Sequence, residues 1–254
     1  MPLQNFTIFG ERNSGTELLS KLMIQNFDLP YTQQFGSTHF FGFYDFKYIF
    51  TEQTLFLCIV REPVDWIKAF YQNPQYVPLE NQELSAFLSK PFYSLWTGTN
   101  GLTRINCSNS STEVSTLVST NHNTSSNSRT NPSYFIPDLI HEDLHIHTKQ
   151  QYKTIFELRK VKMDYLTKNI PKIVKYTMLI RYEDLVENPT LVLEKLQSQF
   201  NLTRIHTQYK LLTYSDTVIR PAFDDETKQY ILANLDYDQE NKLGYCINGT
   251  TNCN

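Results

Sequence analysis

The stretch Phe6-Thr-Ile-Phe-Gly-Glu-Arg-Asn-Ser-Gly-Thr-Glu-Leu-Leu-Ser-Lys-Leu-Met23 decides the fold of this chain. It begins with a short apolar run, continues through a polar loop bracketed by two glycines, and ends in a segment whose leucines repeat at helical spacing. We predict a buried strand over 6–9, a polar loop, and an amphipathic helix that opens near Gly15. A helix N-terminus offers unpaired N–H groups and the positive end of its dipole, so this loop is predicted to bind an anion.

The spacing of Gly10 and Gly15 matches the first half of the P-loop of nucleotide triphosphatases. The Lys-Ser/Thr pair that completes that motif is replaced here by Thr16 and Glu17. Without this lysine, and without an aspartate that ends an apolar strand and helps to hold magnesium, ATP chemistry lacks two of its usual charge partners. A sulfuryl group carries less negative charge than a phosphoryl group, so amides, hydroxyls and one or two cations suffice for it. The alternative is a plain glycine-rich turn between a strand and a helix.

The loop sequence Gly-Glu-Arg-Asn-Ser-Gly-Thr resembles the 5′-phosphosulfate loop of sulfotransferases that use 3′-phosphoadenosine 5′-phosphosulfate (PAPS). The family binds this donor without a metal. For stabilisation of the bridging oxygen during catalysis, the candidate cations are Arg12 and Lys21. The resemblance implies that the donor is bound by Arg12, Asn13, Ser14, Gly15, Thr16 and Glu17.

A second apolar run, Thr54-Leu-Phe-Leu-Cys-Ile-Val60, leads directly into Arg61-Glu-Pro-Val-Asp65. Such a run is typical of a strand buried on both faces, and Pro63 suits the first turn of a following helix. Arg61 is therefore predicted at the carboxyl end of a parallel strand, which is the ligand edge of an open α/β sheet. The structural alternative is an ion pair of Arg61 with Glu62 or Asp65.

This second segment resembles the 3′-phosphate motif of the same family, Arg-Asp/Asn-Pro followed by a helix. The resemblance implies that Arg61 grips the 3′-phosphate of the nucleotide. The serine that the family usually has eight residues later is Ala69 here. One phosphate hydrogen bond is therefore missing, or Lys68 or another donor replaces it.

A third apolar run, Tyr176-Thr-Met-Leu-Ile180, is followed by Arg181-Tyr-Glu-Asp-Leu-Val-Glu-Asn-Pro-Thr190 and then by a helical pattern. This segment closely resembles the sulfotransferase sequence Arg-Tyr-Glu-Asp-Leu-x-x-x-Pro. The resemblance implies that Tyr182 lies beside the adenine, whereas its charged neighbours fix the strand end and the next helix start. Leu243-Gly-Tyr245 near the end of the chain also resembles the family, so the resemblance spans most of the sequence.

A candidate general base follows the first predicted helix, where Ser37-Thr38-His39 resembles the Lys-Thr-His of the family. The resemblance implies that His39 accepts the proton of the acceptor hydroxyl. Ser37 stands where the family has its lysine. Asn13 stands where the family has a cation in the loop, and Arg12 is one place earlier. The alternative is a partly buried structural histidine among Phe35, Phe40, Phe41 and Phe43.

Two further patterns carry charged or metal-ligating residues. The segment 155–162 resembles a Leu-Arg-x-x-Lys helix of the family branch with the Gly-Glu-Arg loop, and Arg159 and Lys162 share a helix face. That face either points a double positive charge at the sulfonate or an acidic acceptor, or is a solvated basic face. His141-Glu-Asp-Leu-His145 has the spacing of zinc peptidases on a helix, but no Gly-x-x-His continuation follows.

Length and composition indicate a single α/β domain over 1–254, because 254 residues with 40% hydrophobic content support one sizeable core. A Ser/Thr/Asn-rich insertion is predicted at 107–132. The net charge of -3 gives no electrostatic case for nucleic acid as a partner. No apolar run has the length of a membrane span, and the first strand leaves no room for a signal peptide, so a cytoplasmic protein is expected.

The alternative location is the Golgi lumen, for a fragment that lacks an N-terminal anchor. Cys246 and Cys253 bracket a short polar loop that a disulfide can close. Glycosylation patterns of the type Asn-x-Ser/Thr begin at Asn5, Asn106, Asn109, Asn123, Asn201 and Asn248.

Together these patterns predict an α/β protein with a three-layer, P-loop-like fold around a central, mostly parallel sheet. The predicted activity is transfer of a sulfuryl group from PAPS to the hydroxyl or amine of a small-molecule or glycan acceptor. Two alternatives remain open. One is a catalytically inactive nucleotide-binding module, which Asn13, Ser37 and Ala69 favour, and the other is a small-molecule kinase, which the missing lysine disfavours.

Overall fold

The structure, a computed structural model, describes four parts of the chain: residues 2–43, 51–94, 143–212 and 222–246. Within them, the predicted α/β class is confirmed as a parallel three-stranded sheet with helices around it. The predicted insertion at 107–132 lies outside the described residues.

The sheet consists of β1 (Asn5–Gly10), β2 (Thr54–Val60) and β3 (Tyr176–Arg181), in the order β1-β2-β3. Asn5 pairs with Thr54, and Leu55 pairs with Tyr176, in parallel register. All three strands agree with the prediction to within one residue at either end. Because the strands run in one direction, their carboxyl ends lie at one edge, where Gly10, Val60 and Arg181 terminate the sheet.

The helices begin where capping residues and prolines allow. Pro63 is in the first turn of its helix, as predicted, and the carboxylate of Glu62 accepts a hydrogen bond from the Asp65 N–H. A 3-10 turn covers Leu79–Asn81, and a π-helical turn covers Tyr165–Asn169. The α-helices among the described residues are α1 (Thr16–Asn26), α2 (Pro63–Gln72), α3 (Leu84–Ser89), α4 (Ile155–Asp164), α5 (Ile170–Ile173), α6 (Tyr182–Glu187), α7 (Pro189–Phe200), α8 (Asp225–Ala233) and α9 (Tyr237–Lys242).

The core lies on both faces of the sheet. On one face of the sheet, every second side chain of β1 and β2 packs with leucines of α1 and α7. On the other face, the alternate side chains pack with the π-helical turn after α4 and with α5. Every residue of β2 is buried, which explains its continuous apolar sequence. A third cluster joins α2, α3, α4 and α8 around Trp66, Phe70 and Phe87.

The segment after α1 runs beside β1 and returns the chain to the carboxyl edge of the sheet. The Thr32 N–H donates a hydrogen bond to the Phe6 carbonyl over 2.8 Å, and the Gly10 N–H donates one to the Thr38 carbonyl over 3.1 Å. These backbone bonds bring His39 next to the end of β1. The polar loop and His39, which α1 separates in the sequence, therefore become neighbours in the fold.

Several predictions concern residues of the termini and loops. The Asn5 side chain lies at the start of β1 and accepts a hydrogen bond from the Thr54 hydroxyl, whereas Asn201 is exposed after α7. Cys246 is disulfide-bonded. Among the described residues, no helix combines the length and apolar character that crossing a membrane requires. Outside the described residues lie Asn106, Asn109, Asn123, Asn248 and Cys253.

Candidate functional site

The polar loop connects β1 to the N-terminus of α1 through two left-handed residues, Asn13 with φ 61° and Gly15 with φ 93°. The Ser14 N–H donates a hydrogen bond to the Glu11 carbonyl over 3.1 Å, which closes the turn. Gly15 is the N-cap of α1, and no side chain of the described residues caps this helix. The N–H groups of its first turn are therefore available to an anion at the edge of the sheet.

Three predicted motifs meet at this loop. A Cβ atom built on Gly15 would lie 2.3 Å from Cδ2 of Tyr182, so glycine is required for the ring to approach the loop. On the Tyr182 ring lies the Arg61 guanidinium, whose Cζ is 4.3 Å from the ring centroid. The structure therefore brings the loop, Arg61 and Tyr182 together in one stack.

Arg61 is 7% exposed, and one of its donors, Nε, has no acceptor among the described residues. Its Nη1 donates a hydrogen bond to the Asn13 carbonyl over 3.1 Å. Its Nε is buried, and none of the described residues accepts a hydrogen bond from it. Glu62 and Asp65, both described, form no ion pair with Arg61; Glu62 instead caps α2, and burial raises its pKa. A buried guanidinium with an unpaired donor is expected to attract an anionic acceptor.

Arg12 turns away from the outside of the loop and into the protein, where it is fully buried. Its Nη2 donates to Asp143 Oδ2 over 2.8 Å, its Nε to Glu11 Oε1 over 2.9 Å, and its Nη1 to both the Ser94 hydroxyl and the Gln75 carbonyl over 2.6 Å and 2.9 Å. Burial alone would lower the pKa of Arg12, but the two carboxylates outweigh it and raise the pKa. Direct contact of Arg12 with a nucleotide stays a prediction. The hydrogen bonds that the structure shows anchor the loop to the protein interior.

Lys162 of α4 is also fully buried and completes a cluster of four charges. Its Nζ lies 2.6 Å from Glu11 Oε2 and 2.6 Å from Asp143 Oδ1. Burial would raise the pKa of Glu11, but Lys162 and Arg12 outweigh it and lower the pKa to about 2. We call Glu11, Arg12, Asp143 and Lys162 the buried charge cluster; its two positive and two negative charges cancel.

Arg159 lies one turn before Lys162 on the same face of α4, as predicted, and is 2% exposed. Its Nε and Nη2 bind the Glu240 carboxylate over 2.5 Å and 2.8 Å, and Nη2 also donates to the Arg61 carbonyl over 3.0 Å. The alternative of a solvated basic face is therefore wrong. Burial explains the difference, because a buried cation requires a carboxylate and Glu240 supplies it. Arg159 supports the backbone of Arg61 from behind.

His39 is half-buried beside the start of the polar loop. Its Nδ1 lies 2.8 Å from the Gly10 carbonyl oxygen. Because a carbonyl oxygen only accepts hydrogen bonds, Nδ1 carries the proton, and Nε2 keeps its lone pair. Burial lowers the pKa of His39, so the imidazole is neutral at pH 7. A neutral imidazole with a basic Nε2 at the end of β1 has the properties of a general base.

The remaining predicted loop residues differ in their access to the outside. Ser14 is 1% exposed, and Thr16 is half-buried in the first turn of α1. The Glu17 side chain is exposed, and its Oε1 lies 2.6 Å from Lys21 Nζ. Asn13 donates a hydrogen bond from Nδ2 to the Asn73 carbonyl over 3.2 Å, which ties the loop to the end of α2.

The zinc-peptidase pattern does not form a helix at His145, which lies in a turn and accepts hydrogen bonds at Nδ1 from the N–H groups of His147 and Thr148. His141 and Glu142 lie outside the described residues. In the parts of the chain that the structure describes, no group of three histidine, cysteine or carboxylate side chains is arranged to hold a metal ion.

Sequence reasoning missed Glu11, Ser94 and Asp143 as supports of the loop. A signal was present in the consecutive charges of Glu11 and Arg12 directly after a buried strand, because such residues need partners inside the protein. Comparison of the chain with protein-family models, with curated proteins and with solved structures gave no match.

Proposed function

We propose that this chain is a sulfotransferase that binds PAPS across the carboxyl edge of a P-loop-like, three-layer fold. The observation that carries the proposal is the stack of Gly15, Tyr182 and Arg61 beside the uncapped N-terminus of α1. The stack combines an anion-binding helix end, an aromatic ring and a guanidinium with an unpaired donor. These groups suit an adenine nucleotide with phosphates at two positions.

In this proposal the N–H groups around Gly15 and Thr16 bind the 5′-phosphosulfate, assisted by Ser14. Arg61 binds the 3′-phosphate, since its Nε is buried beside the loop without an acceptor among the described residues. The adenine lies beside Tyr182. No magnesium is required, because the transferred sulfuryl group carries less negative charge than a phosphoryl group.

The proposed reaction is an in-line displacement at sulfur. Nε2 of His39 takes the proton of the acceptor hydroxyl as the oxygen attacks sulfur, and the bond from sulfur to the bridging phosphate oxygen breaks. The products are the sulfated acceptor and adenosine 3′,5′-bisphosphate, and the proton remains on His39 until solvent removes it. The hydrogen bond from Nδ1 to the Gly10 carbonyl orients the ring for this step. The acceptor is a small molecule or a glycan.

Calorimetry in the presence of EDTA tests the donor site. We expect adenosine 3′,5′-bisphosphate to bind without magnesium and more tightly than ATP. Tighter binding of ATP that depends on magnesium would instead support the small-molecule kinase. Bisphosphate binding without any turnover of PAPS, across a panel of hydroxyl and amine acceptors, would support the inactive nucleotide-binding module, which the neutral Asn13, Ser37 and Ala69 favour.

A matched pair of variants tests the role of Arg61. Arg61→Ala should weaken bisphosphate binding by about ten- to a hundredfold, the loss of a charge-assisted hydrogen-bonded pair. Lys68→Ala removes the same charge from a half-buried position of α2 and should have a smaller effect. Equal, small losses in both folded variants would return Arg61 to a purely structural role.

A further inference from the structure

We propose that the buried charge cluster positions His39 and sets the protonation of its imidazole. The inference rests on the proposed function, because it assigns the residues that prepare the general base. Glu11, Asp143 and Lys162 are positioning residues here, because they act through His39. Arg12 acts on His39 in the same way and also remains a predicted contact of the nucleotide.

The cluster holds His39 on two sides. Lys162 Nζ donates a hydrogen bond to the His39 carbonyl over 3.0 Å, which fixes the backbone. The ring is fixed by the Gly10 carbonyl, and Gly10 directly precedes Glu11. Phe40, next in the chain, lies against both cations, with its centroid 5.5 Å from Arg12 Cζ and 5.7 Å from Lys162 Nζ. A shift of the cluster therefore shifts the histidine.

The charges of the cluster act on the imidazole from three elements. Glu11 at the end of β1 favours the protonated form of His39, whereas Arg12 of the loop and Lys162 of α4 oppose it. Asp143 pairs with both cations at 2.8 Å and 2.6 Å and so limits their effect. Because its four charges cancel, the buried charge cluster as a whole is neutral beside the imidazole. In this poorly solvated site, one uncompensated charge would shift the pKa of His39 strongly.

This arrangement suits a general base that changes charge during the reaction. A cluster with net negative charge would protonate His39 before the acceptor arrives. A cluster with net positive charge would oppose the imidazolium that forms when the acceptor proton is taken. Balance between two carboxylates and two cations avoids both effects, and the carboxylate of Glu11 remains close enough to stabilise the transient imidazolium.

The test changes the net charge of the cluster in both directions and follows His39 by NMR. Lys162→Met leaves the cluster at net negative charge, Glu11→Gln leaves it positive, and the double variant is neutral again. The full chain, with ¹⁵N-labelled histidine and no nucleotide, is titrated, and His39→Asn identifies the resonance among the 6 histidines. The ¹⁵N shifts report both the pKa and which ring nitrogen carries the proton.

We expect the pKa of His39 to rise by about one unit or more in Lys162→Met, to fall in Glu11→Gln, and to return close to the wild-type value in the double variant. Asp143→Asn, from a different chain segment, should lower the pKa as Glu11→Gln does. A merely structural role does not predict opposite shifts that cancel. If Lys162→Met does not fold, Glu11→Gln and the double variant still differ only at position 162, and equal His39 pKa values in these two would overturn the proposal.

The titration needs neither nucleotide nor turnover, so its result is independent of the proposed function. An inactive protein with the expected shifts of His39 would overturn the sulfotransferase proposal and leave the charge inference standing. An active protein whose His39 titrates alike in all folded variants would overturn the charge inference alone.

Discussion

Replacement of Gly15 by alanine tests whether the stack of loop, tyrosine and arginine forms the binding site. Gly15 has φ 93°, a conformation that costs an L-residue about 1 to 2 kcal/mol. A Cβ atom there would also lie 2.3 Å from Cδ2 of the Tyr182 ring, so the ring must move by more than an ångström to restore ordinary contact. Overpacking of this kind costs about 1 to 3 kcal/mol. Gly15→Ala should therefore lower the free energy of unfolding by about 2 to 5 kcal/mol.

The same displacement should reach the nucleotide through Arg61. The guanidinium lies 4.3 Å from the centroid of the Tyr182 ring, and a cation–π contact of this kind is worth about 0.5 to 2 kcal/mol. Loss of the contact should weaken binding of adenosine 3′,5′-bisphosphate by about twofold to thirtyfold, beyond any change in the loop itself. Denaturant unfolding measures the first effect, and calorimetry on the folded fraction measures the second.

Gly244→Ala is the matched control. Gly244 also has a left-handed conformation, with φ 85°, but the atom nearest to a built Cβ is Arg181 Nη1 at an ordinary 3.4 Å. This variant should lose only about 1 to 2 kcal/mol of stability and keep wild-type affinity. If Gly15→Ala is no less stable than Gly244→Ala and binds the bisphosphate as tightly as the wild type, the stack is not the nucleotide site.

The remaining predictions concern the base and the response to acid. His39→Ala should lower kcat by about 10² to 10⁴ in steady-state assays and leave the affinity for the bisphosphate almost unchanged. His39→Asn should be equally slow, because an amide cannot accept the proton. Wild-type turnover in either variant contradicts the assignment of His39 as the base. Glu11, whose pKa is lowered from 4.5 to about 2, stabilises the fold fully above about pH 4.5 and loses this effect as the pH falls toward 2. Glu11→Gln should flatten the pH dependence of the unfolding free energy in that window, and Glu17→Gln, at an exposed position, should leave it unchanged.

The sequence was sufficient for the strands and for the edge at which they end. Continuous apolar runs are unambiguous when a parallel sheet is covered on both faces, so β2 agreed with its predicted bounds, Thr54–Val60. The helix start at Pro63 followed from the fixed φ of proline. Arg61 could be placed at the carboxyl edge of a parallel strand from the apolar run before it, whereas the place of Tyr182 beside the same ligand came from the resemblance to the sulfotransferases.

The direction of the charged side chains could not be predicted in the same way. Arg12 binds Ser94 and Asp143, which are 82 and 131 positions away, and local sequence carries no information on such pairs. For Arg159 the sequence left open a ligand-facing and a solvated basic face, because its partner, Glu240, is 81 positions later in the chain. Tertiary packing determines which buried ion pairs form. Helical spacing alone therefore placed Arg159 and Lys162 on one face of α4, and it carried no information on whether that face is exposed to water.

The guanidinium of Arg12 also joins parts of the chain that are distant in the sequence. Ser94 and Asp143 are 49 positions apart, yet their side chains are hydrogen-bonded to each other and to Arg12. A single buried side chain therefore acts as a noncovalent cross-link among three separate segments of the chain.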